Sequence, residues 1–352
     1  MTGDTVGGVW TFTLDLARAL ASREVEVVLA TMGARATAAQ KTQAASVPGL
    51  CLLDSEYRLE WMDDPWDDVE ASGKWLLRLE REYSPDIVHL NSFGHGALPW
   101  RTPVVLTAHS CVLSWWEAVR PEPLPGVWAR YRAEAAQALV SADLVTAPSC
   151  SMARSLARHY GTSRCRVIPN GRDGAQFHAA SKEQFVFAAG RLWDEAKNIA
   201  ALAQVADDLS WPVYVAGESG GAAFSGCYAL GHVGMPELAG WYARAAIYAF
   251  PALYEPFGLS ILEAAYSGCA LVISDLPSLR EIWGDAGLLV PPHDAHALRE
   301  ALRSLIDNRD LREEMGRRAW TRAAGYNIQA MAARYWRAYR EAAAAGKKAC
   351  VS

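Results

Sequence analysis

Residues 247–264 read IYAFPALYEPFGLSILEA. An apolar run gives way to a loop punctuated by Pro256 and Gly258, and a helix-period segment follows over 259–267. The run at 247–252 is nearly all apolar rather than alternating, as a strand buried on both faces of a parallel sheet should be. The same strand–loop–helix pattern recurs along the chain. Strands are predicted at 25–31, 50–54, 86–90, 104–109, 143–149 and 166–171, then at 185–191, 213–218, 247–252, 270–274 and 287–292. Helices are predicted over 9–22, 73–83, 129–141, 149–160, 197–209, 236–245, 259–267 and 294–306, with a long closing helix over 326–345. That alternation predicts an α/β fold with two successive doubly wound, Rossmann-like sheets.

At 352 residues the chain exceeds what one hydrophobic core organises, and its 51% hydrophobic content suffices for two. The turn-rich stretch Asn170-Gly171-Arg172-Asp173-Gly174 marks the break. The predicted domains are 1–172, 173–325 and a closing helical segment, 326–352. Ligands of open α/β sheets bind beyond the carboxyl ends of the strands, so the default site is the cleft between two such domains.

Composition removes several function classes. No apolar run approaches the roughly 20 residues that span a bilayer, and no cationic leader precedes a short apolar stretch. The net charge of −5, unpolarised between the halves, argues against nucleic-acid binding and allows at most weak peripheral membrane contact. The seven cysteines form no CxxC pair and the eight histidines show no metal spacing beside them. Reduced thiols in a cytoplasmic setting are expected, with no metal site and no cofactor. Fourteen tryptophans are a high count, and carbohydrate surfaces use flat rings as well as cores do.

The chemistry concentrates at strand ends. In EPFGLSILE the side chain of Glu263, one turn into a helix, leans back toward the loop that carries Glu255. Amides of Phe257, Gly258, Leu259 and Ser260 would sit between the two carboxylates at the positive end of the helix. Such a set suits a ligand carrying both hydroxyls and phosphate, although acidic residues near a helix start also stabilise a plain surface helix. Upstream, GRLWDEAKN opens the helix at 197–209 with Arg191 and Lys197. Two positive charges there balance a diphosphate, unless Asp194 and Glu195 neutralise them internally. His109, in TAHS at a strand end, can hydrogen-bond a sugar hydroxyl or be a satisfied structural histidine. Asn91, His95 and Asn170 are further strand-end candidates, and Trp115 and Trp116 are core residues or an acceptor platform. The acidic stretch MDDPWDDVE (62–70) reads as a solvated loop, with Trp61 or Trp66 as minor acceptor contacts. No GxGxxG turn with a downstream acid follows a strand, which disfavours a dinucleotide-dependent oxidoreductase.

Taken together, EPFGLSILEA, GRLWDEAKN, TAHS, IPNG and Gly7-Gly8-Val9 resemble the retaining GT-B glycosyltransferases of family 4, across essentially the whole chain. The resemblance implies two Rossmann-like domains facing a cleft, with the closing helix crossing back onto the first. It implies metal-independent transfer of a hexose from a nucleotide-diphosphate sugar to a sugar or glycolipid acceptor, with retention, in cell-surface polysaccharide or glycoconjugate synthesis. Arg191 and Lys197 would bind the donor diphosphate and Glu263 the ribose hydroxyls, while Glu255 would face the transferred sugar. Amides of Phe257, Gly258 and Leu259 would hold sugar hydroxyls and the distal phosphate. His109 would reach the donor sugar, and Gly8 would approach the diphosphate and acceptor. A disaccharide synthase or phosphorylase of the same family, or a catalytically silent sugar-nucleotide binder, remains open. One departure stands out. Family members carry a full strand before the glycine loop, whereas Met1 to Thr5 can supply five residues at most. Either the translation start is set late or the first sheet lacks a central strand, and a late start is the expectation.

Overall fold

Two parallel sheet systems organise the chain, each in its own unit. The computed structural model describes residues 1–349, so Cys350 lies outside the described residues. Unit 1 comprises 1–117, 122–171 and 328–352; unit 2 comprises 118–121 and 172–327.

Unit 1 runs β1 (Thr2–Asp4), α1 (Gly8–Ala21), β2 (Val27–Met32), α2 (Ala38–Ala45), β3 (Leu50–Asp54), α3 (Trp66–Tyr83), β4 (Val88–Leu90) and β5 (Val104–Thr107). It continues with α4 (Val112–Val119), α5 (Ala129–Ser141), β6 (Leu144–Ala147), α6 (Cys150–Tyr160) and β7 (Cys165–Val167). Strands β1-β2-β3 form one parallel sheet and β4-β5-β6-β7 another. Asn91, just past β4, links them: its amide N–H donates to Thr2 Oγ1 at 2.9 Å and its Nδ2 donates to Thr2 O at 2.6 Å. The opening strand is therefore present, as three residues in register with Ala30–Met32.

Unit 2 runs β8 (Glu183–Ala189), α7 (Ile199–Ala206), β9 (Val213–Ala216), β10 (Cys227–Gly231), α8 (Met235–Arg244), β11 (Ala245–Phe250) and α9 (Leu259–Tyr266). Then come β12 (Ala270–Ser274), α10 (Pro277–Trp283), β13 (Leu288–Val290), α11 (Ala295–Asp307) and α12 (Arg309–Ala323). Its six parallel strands are ordered β10-β9-β8-β11-β12-β13. The central strand β11 is buried at every residue, which explains its unbroken apolar reading. The two faces carry separate cores, Phe187, Tyr248 and Leu262 on one and Val186, Ile247 and Leu302 on the other.

The last helix, α13 (Ile328–Ala349), belongs to unit 1. Its Ile328, Met331, Tyr335 and Tyr339 share a core with Phe12, Leu16 and Leu20 of α1 and Val105 of β5. A polar chain inside this core fixes the helix. His89 Nδ1 lies 2.7 Å from Tyr339 Oη, His89 Nε2 lies 2.7 Å from Thr107 Oγ1, and Thr107 reaches Tyr335 Oη at 3.2 Å.

Two local expectations are corrected. The acidic stretch 62–70 is only half loop, because α3 begins at Trp66 with Asp67 and Asp68 in its first turn, where negative charge meets the helix dipole. Arg130 stacks on Trp66 at 4.5 Å, which gives that ring a structural task. Lys197 does not open a helix. It ends a 3₁₀ turn (Glu195–Lys197), Asn198 adopts a left-handed φ of 52°, and α7 starts at Ile199.

Candidate active site

In unit 2 the two motif loops are laced together by a backbone N–H and a side-chain amide. Leu253 N donates to Ala196 O at 2.8 Å, and Asn198 Nδ2 donates to Pro251 O at 2.9 Å and Pro292 O at 3.1 Å. This lacing brings Lys197 to Glu255, with Nζ 2.7 Å from Oε2 and both side chains largely buried. The ammonium also lies 5.3 Å from the Phe250 ring centroid. Sequence reasoning treated Lys197 as a charge awaiting an anion; the structure gives it a carboxylate partner. Arg191 is more exposed, its Nη2 2.9 Å from Asp194 Oδ2 and its guanidinium 5.4 Å from the Trp193 ring. The internal neutralisation weighed for Asp194 is thus real, and Glu195 instead pairs with Arg120.

The loop amides are also engaged. Glu255 Oε1 accepts from Phe257 N at 3.2 Å and Gly258 N at 2.9 Å. The expectation of open amides at Phe257 and Gly258 is corrected: Gly258, at φ 90°, turns the loop so that both N–H groups face the carboxylate behind them. A Cβ there would lie 2.7 Å from Ile261 Cδ1, so only glycine fits without displacement. Leu259 is the first residue of α9, and Ser278 Oγ donates to the Glu255 carbonyl.

Glu263 is buried, and Arg172 Nε lies 2.8 Å from its Oε1. Sequence reasoning placed Arg172 only in a domain break and missed this role; its position directly after IPNG was the available signal. The hydroxyls of Tyr242 and Tyr248 are pushed well above their usual range, first by burial, with the charge of Glu263 adding to it. Tyr248 Oη donates to Ala189 O at 3.1 Å, tying β11 to the strand that feeds Gly190-Arg191.

Unit 1 carries a second polar group. Asp4 Oδ1 accepts from Val6 N at 3.1 Å and Gly7 N at 3.0 Å, and so shapes the loop that leads to Gly8 at the start of α1. His109 Nε2 lies 2.8 Å from Asn91 Oδ1, and its ring meets Phe12 edge-on at 4.4 Å. Asn91 uses its amide nitrogen as a donor to Thr2, so its oxygen accepts and the proton sits on His109 Nε2. Nδ1 is left as an acceptor. Desolvation holds the His109 pKa well below 6.5, which keeps the imidazole neutral.

The remaining candidates separate. Asn91 is a structural bridge, and His95 is interior: its Nε2 lies 2.9 Å from Ser72 Oγ, and burial lowers its pKa to about 4. Trp115 and Trp116 are half-buried on α4, and Trp116 Nε1 donates to Glu122 O at 2.8 Å. Asn170 is buried, with Oδ1 lacking a hydrogen-bond donor. No group of three or more metal-ligating residues occurs among the described residues.

Two family models match in tandem, Glycosyltransferase Family 4 over residues 6–176 and Glycosyl transferases group 1 over 183–308. The chain is 27% identical to a D-inositol 3-phosphate glycosyltransferase of Paenarthrobacter aurescens, covering 96% of this chain and 93% of that protein. It is 36% identical to a phosphatidyl-myo-inositol mannosyltransferase of Mycolicibacterium smegmatis over 35% of this chain and 33% of that one. By fold it is similar to a sucrose-phosphate synthase from Thermosynechococcus elongatus (TM-score 0.79, 19% identity, 98% and 96% of the chains). A second similar fold is the Anabaena HepE protein in complex with UDP-glucose (TM-score 0.77, 16% identity, 97% and 99%). With one model on each sheet system and the same fold in these neighbours, the chain belongs to the GT-B glycosyltransferases of family 4.

Proposed function

We propose that the protein transfers a hexose from a nucleoside diphosphate sugar to a hydroxyl of a sugar or glycolipid acceptor, with retention of anomeric configuration. The observation that carries this reading is the Lys197–Glu255 pair at 2.7 Å, with Arg191 on the same loop as Lys197. A cation already balanced by a carboxylate can change partner when a diphosphate arrives, and the released carboxylate then faces the sugar. Arg191 and Lys197 stabilise the charge that develops on the leaving diphosphate, the task a metal performs elsewhere. No metal is required in this scheme. The acceptor oxygen bonds to the anomeric carbon on the face from which the diphosphate oxygen departs, and the acceptor proton passes to that diphosphate. Glu255 supports the oxocarbenium-like state, and neutral His109 accepts from a sugar hydroxyl through Nδ1.

The names of the relatives, an inositol-phosphate glycosyltransferase and a phosphatidylinositol mannosyltransferase, support a polyhydroxylated acceptor that carries phosphate or lipid. We place this work in the cytoplasm, the compartment that free cysteines suit, on precursors of cell-surface glycans. No helix among these residues is long and apolar enough to cross a membrane. The test is a thermal-shift panel of UDP-, GDP-, ADP- and dTDP-sugars, in which at least one raises the melting temperature by mass action. NMR of the product then reads the anomer: an inverted linkage removes the mechanism, and no shift with any nucleotide sugar removes the donor class.

A further inference from the structure

Arg172 and Glu263 form an ion pair whose side chains are only 3% and 6% exposed. Burying two charges costs several kcal/mol each in desolvation, and apolar residues of the same volume usually serve stability as well or better. A pair retained in such a place therefore asks for another reason. Arg172 is anchored through its backbone, and its guanidinium lies near an aromatic ring. Arg172 N donates to Tyr326 O at 3.0 Å, its backbone bridges to Asn327, and its Cζ lies 5.1 Å from the Phe177 ring centroid. Phe177 and Tyr326 both pack into the α9 side of the unit 2 core, so the arginine arrives at Glu263 from a rigid wall. The contact runs between Nε and Oε1, so one carboxylate oxygen faces the cation.

We propose that Arg172 is a positioning residue for the donor: it holds the Glu263 side chain in place, so that the carboxylate accepts from the ribose hydroxyls. This rests on the assignment of Glu263 as ribose ligand in the proposed function. Arg172 sets the preference for ribose over deoxyribose without touching the nucleotide. The diphosphate is held elsewhere, by Arg191 and Lys197, so loss of Arg172 changes recognition of the sugar hydroxyls and spares recognition of the phosphates.

The experiment is calorimetric titration of UDP and of 2′,3′-dideoxy-UDP into wild type, Arg172→Met, Arg172→Lys and Glu263→Gln. If the thermal-shift panel selects another base, the corresponding nucleotide pair is used. Wild type is expected to prefer the ribonucleotide at least tenfold. Arg172→Met should bring that ratio close to one while leaving dideoxy-UDP affinity within about twofold, and Arg172→Lys should restore part of the ratio. In turnover assays the donor KM rises in Arg172→Met more than kcat falls. A purely structural role would weaken both nucleotides equally and leave their ratio unchanged. A ratio kept in Arg172→Met but lost in Glu263→Gln overturns the role of Arg172 alone. A ratio kept in Glu263→Gln overturns the ribose assignment and this inference with it. If Arg172→Met does not fold, the lysine variant decides, since a wild-type ratio and KM there exclude the geometric role.

Discussion

At the residue scale, each proposed donor contact is held by a partner that predicts how it fails. Glu255 is anchored by Lys197 and by the amides of Phe257 and Gly258. Glu255→Gln keeps the shape and both amide contacts but loses the charge opposite Lys197. Turnover should fall about 10²- to 10³-fold, the scale of one preorganised electrostatic contact, and the melting temperature should drop because Lys197 loses its counter-charge; near-wild-type kcat would remove Glu255 from the chemistry. Arg191 is held by Asp194 and the Trp193 ring, and it lies closer to solvent. Arg191→Ala should weaken nucleotide binding by roughly ten- to a hundredfold, the loss of one charge-assisted contact, as read by calorimetry. His109 was legible as a histidine at a strand end, but its tautomer was not. That depends on Asn91 and Thr2, which are distant in sequence and meet only in the folded sheet.

Elements show why some of the fold could be read and some could not. The strands at 50–54 and 270–274 and the helix at 129–141 fall where the pattern predicts them, because their apolar residues lie at the proper period. Four helices gave no such signal. Helix α2 buries only Ala44, and α12 buries one large side chain, Met315, beside the small Gly316, Ala319 and Ala323, which leaves no broad apolar stripe. Gly316 is needed there, because a Cβ would lie 2.7 Å from Gly268 O. Short α4 and α10 are set by their place in the fold rather than by length or period. Strand β10 lies at a sheet edge and is mostly exposed, so its pattern is weak. The start of α9 is the element most sensitive to a single methyl group. Gly258→Ala forces a left-handed Cβ and the Ile261 contact, and should cost about 1–2 kcal/mol or more in chemical denaturation, with donor affinity falling too. In unit 1, Tyr335→Ala should cost about 3–5 kcal/mol, while Tyr335→Phe removes only the hydroxyl contacts and costs about 1 kcal/mol; equal losses would contradict the packing role of the ring.

For the whole molecule, ligand and pH act on different parts. A nucleotide diphosphate should slow hydrogen exchange in 190–198 and 253–263 and leave β2 and β3 as they were, since Arg191, Lys197 and Glu263, the side chains proposed to hold the nucleotide, lie in unit 2. Protection in β2 instead would relocate the donor. Unit 1 should be the acid-sensitive part. Burial depresses His89, His95 and His109, so the unfolded chain binds protons that the folded chain refuses. Their contribution is complete above pH 6.5 and is lost as pH falls, toward about 4 for His95 and about 3 for His109, at about 1.4 kcal/mol per pH unit for each. Glu60, raised by its own burial, acts in the opposite sense. Melts between pH 7 and 5 should therefore show stability falling with acidity, and a flat profile would mean these imidazoles are not buried as described.

The return of α13 to unit 1 has a consequence for synthesis. His89 and Tyr339, 2.7 Å apart in the folded protein, are separated by 250 positions, and all of unit 2 is translated between them. As the chain leaves the ribosome, unit 2 can finish folding while unit 1 still waits for the helix that covers Phe12, Leu16 and Leu20. During that interval the oldest part of the chain is the least finished. An apolar groove is then open to chaperones, and to other nascent chains, until the final helix emerges to fill it.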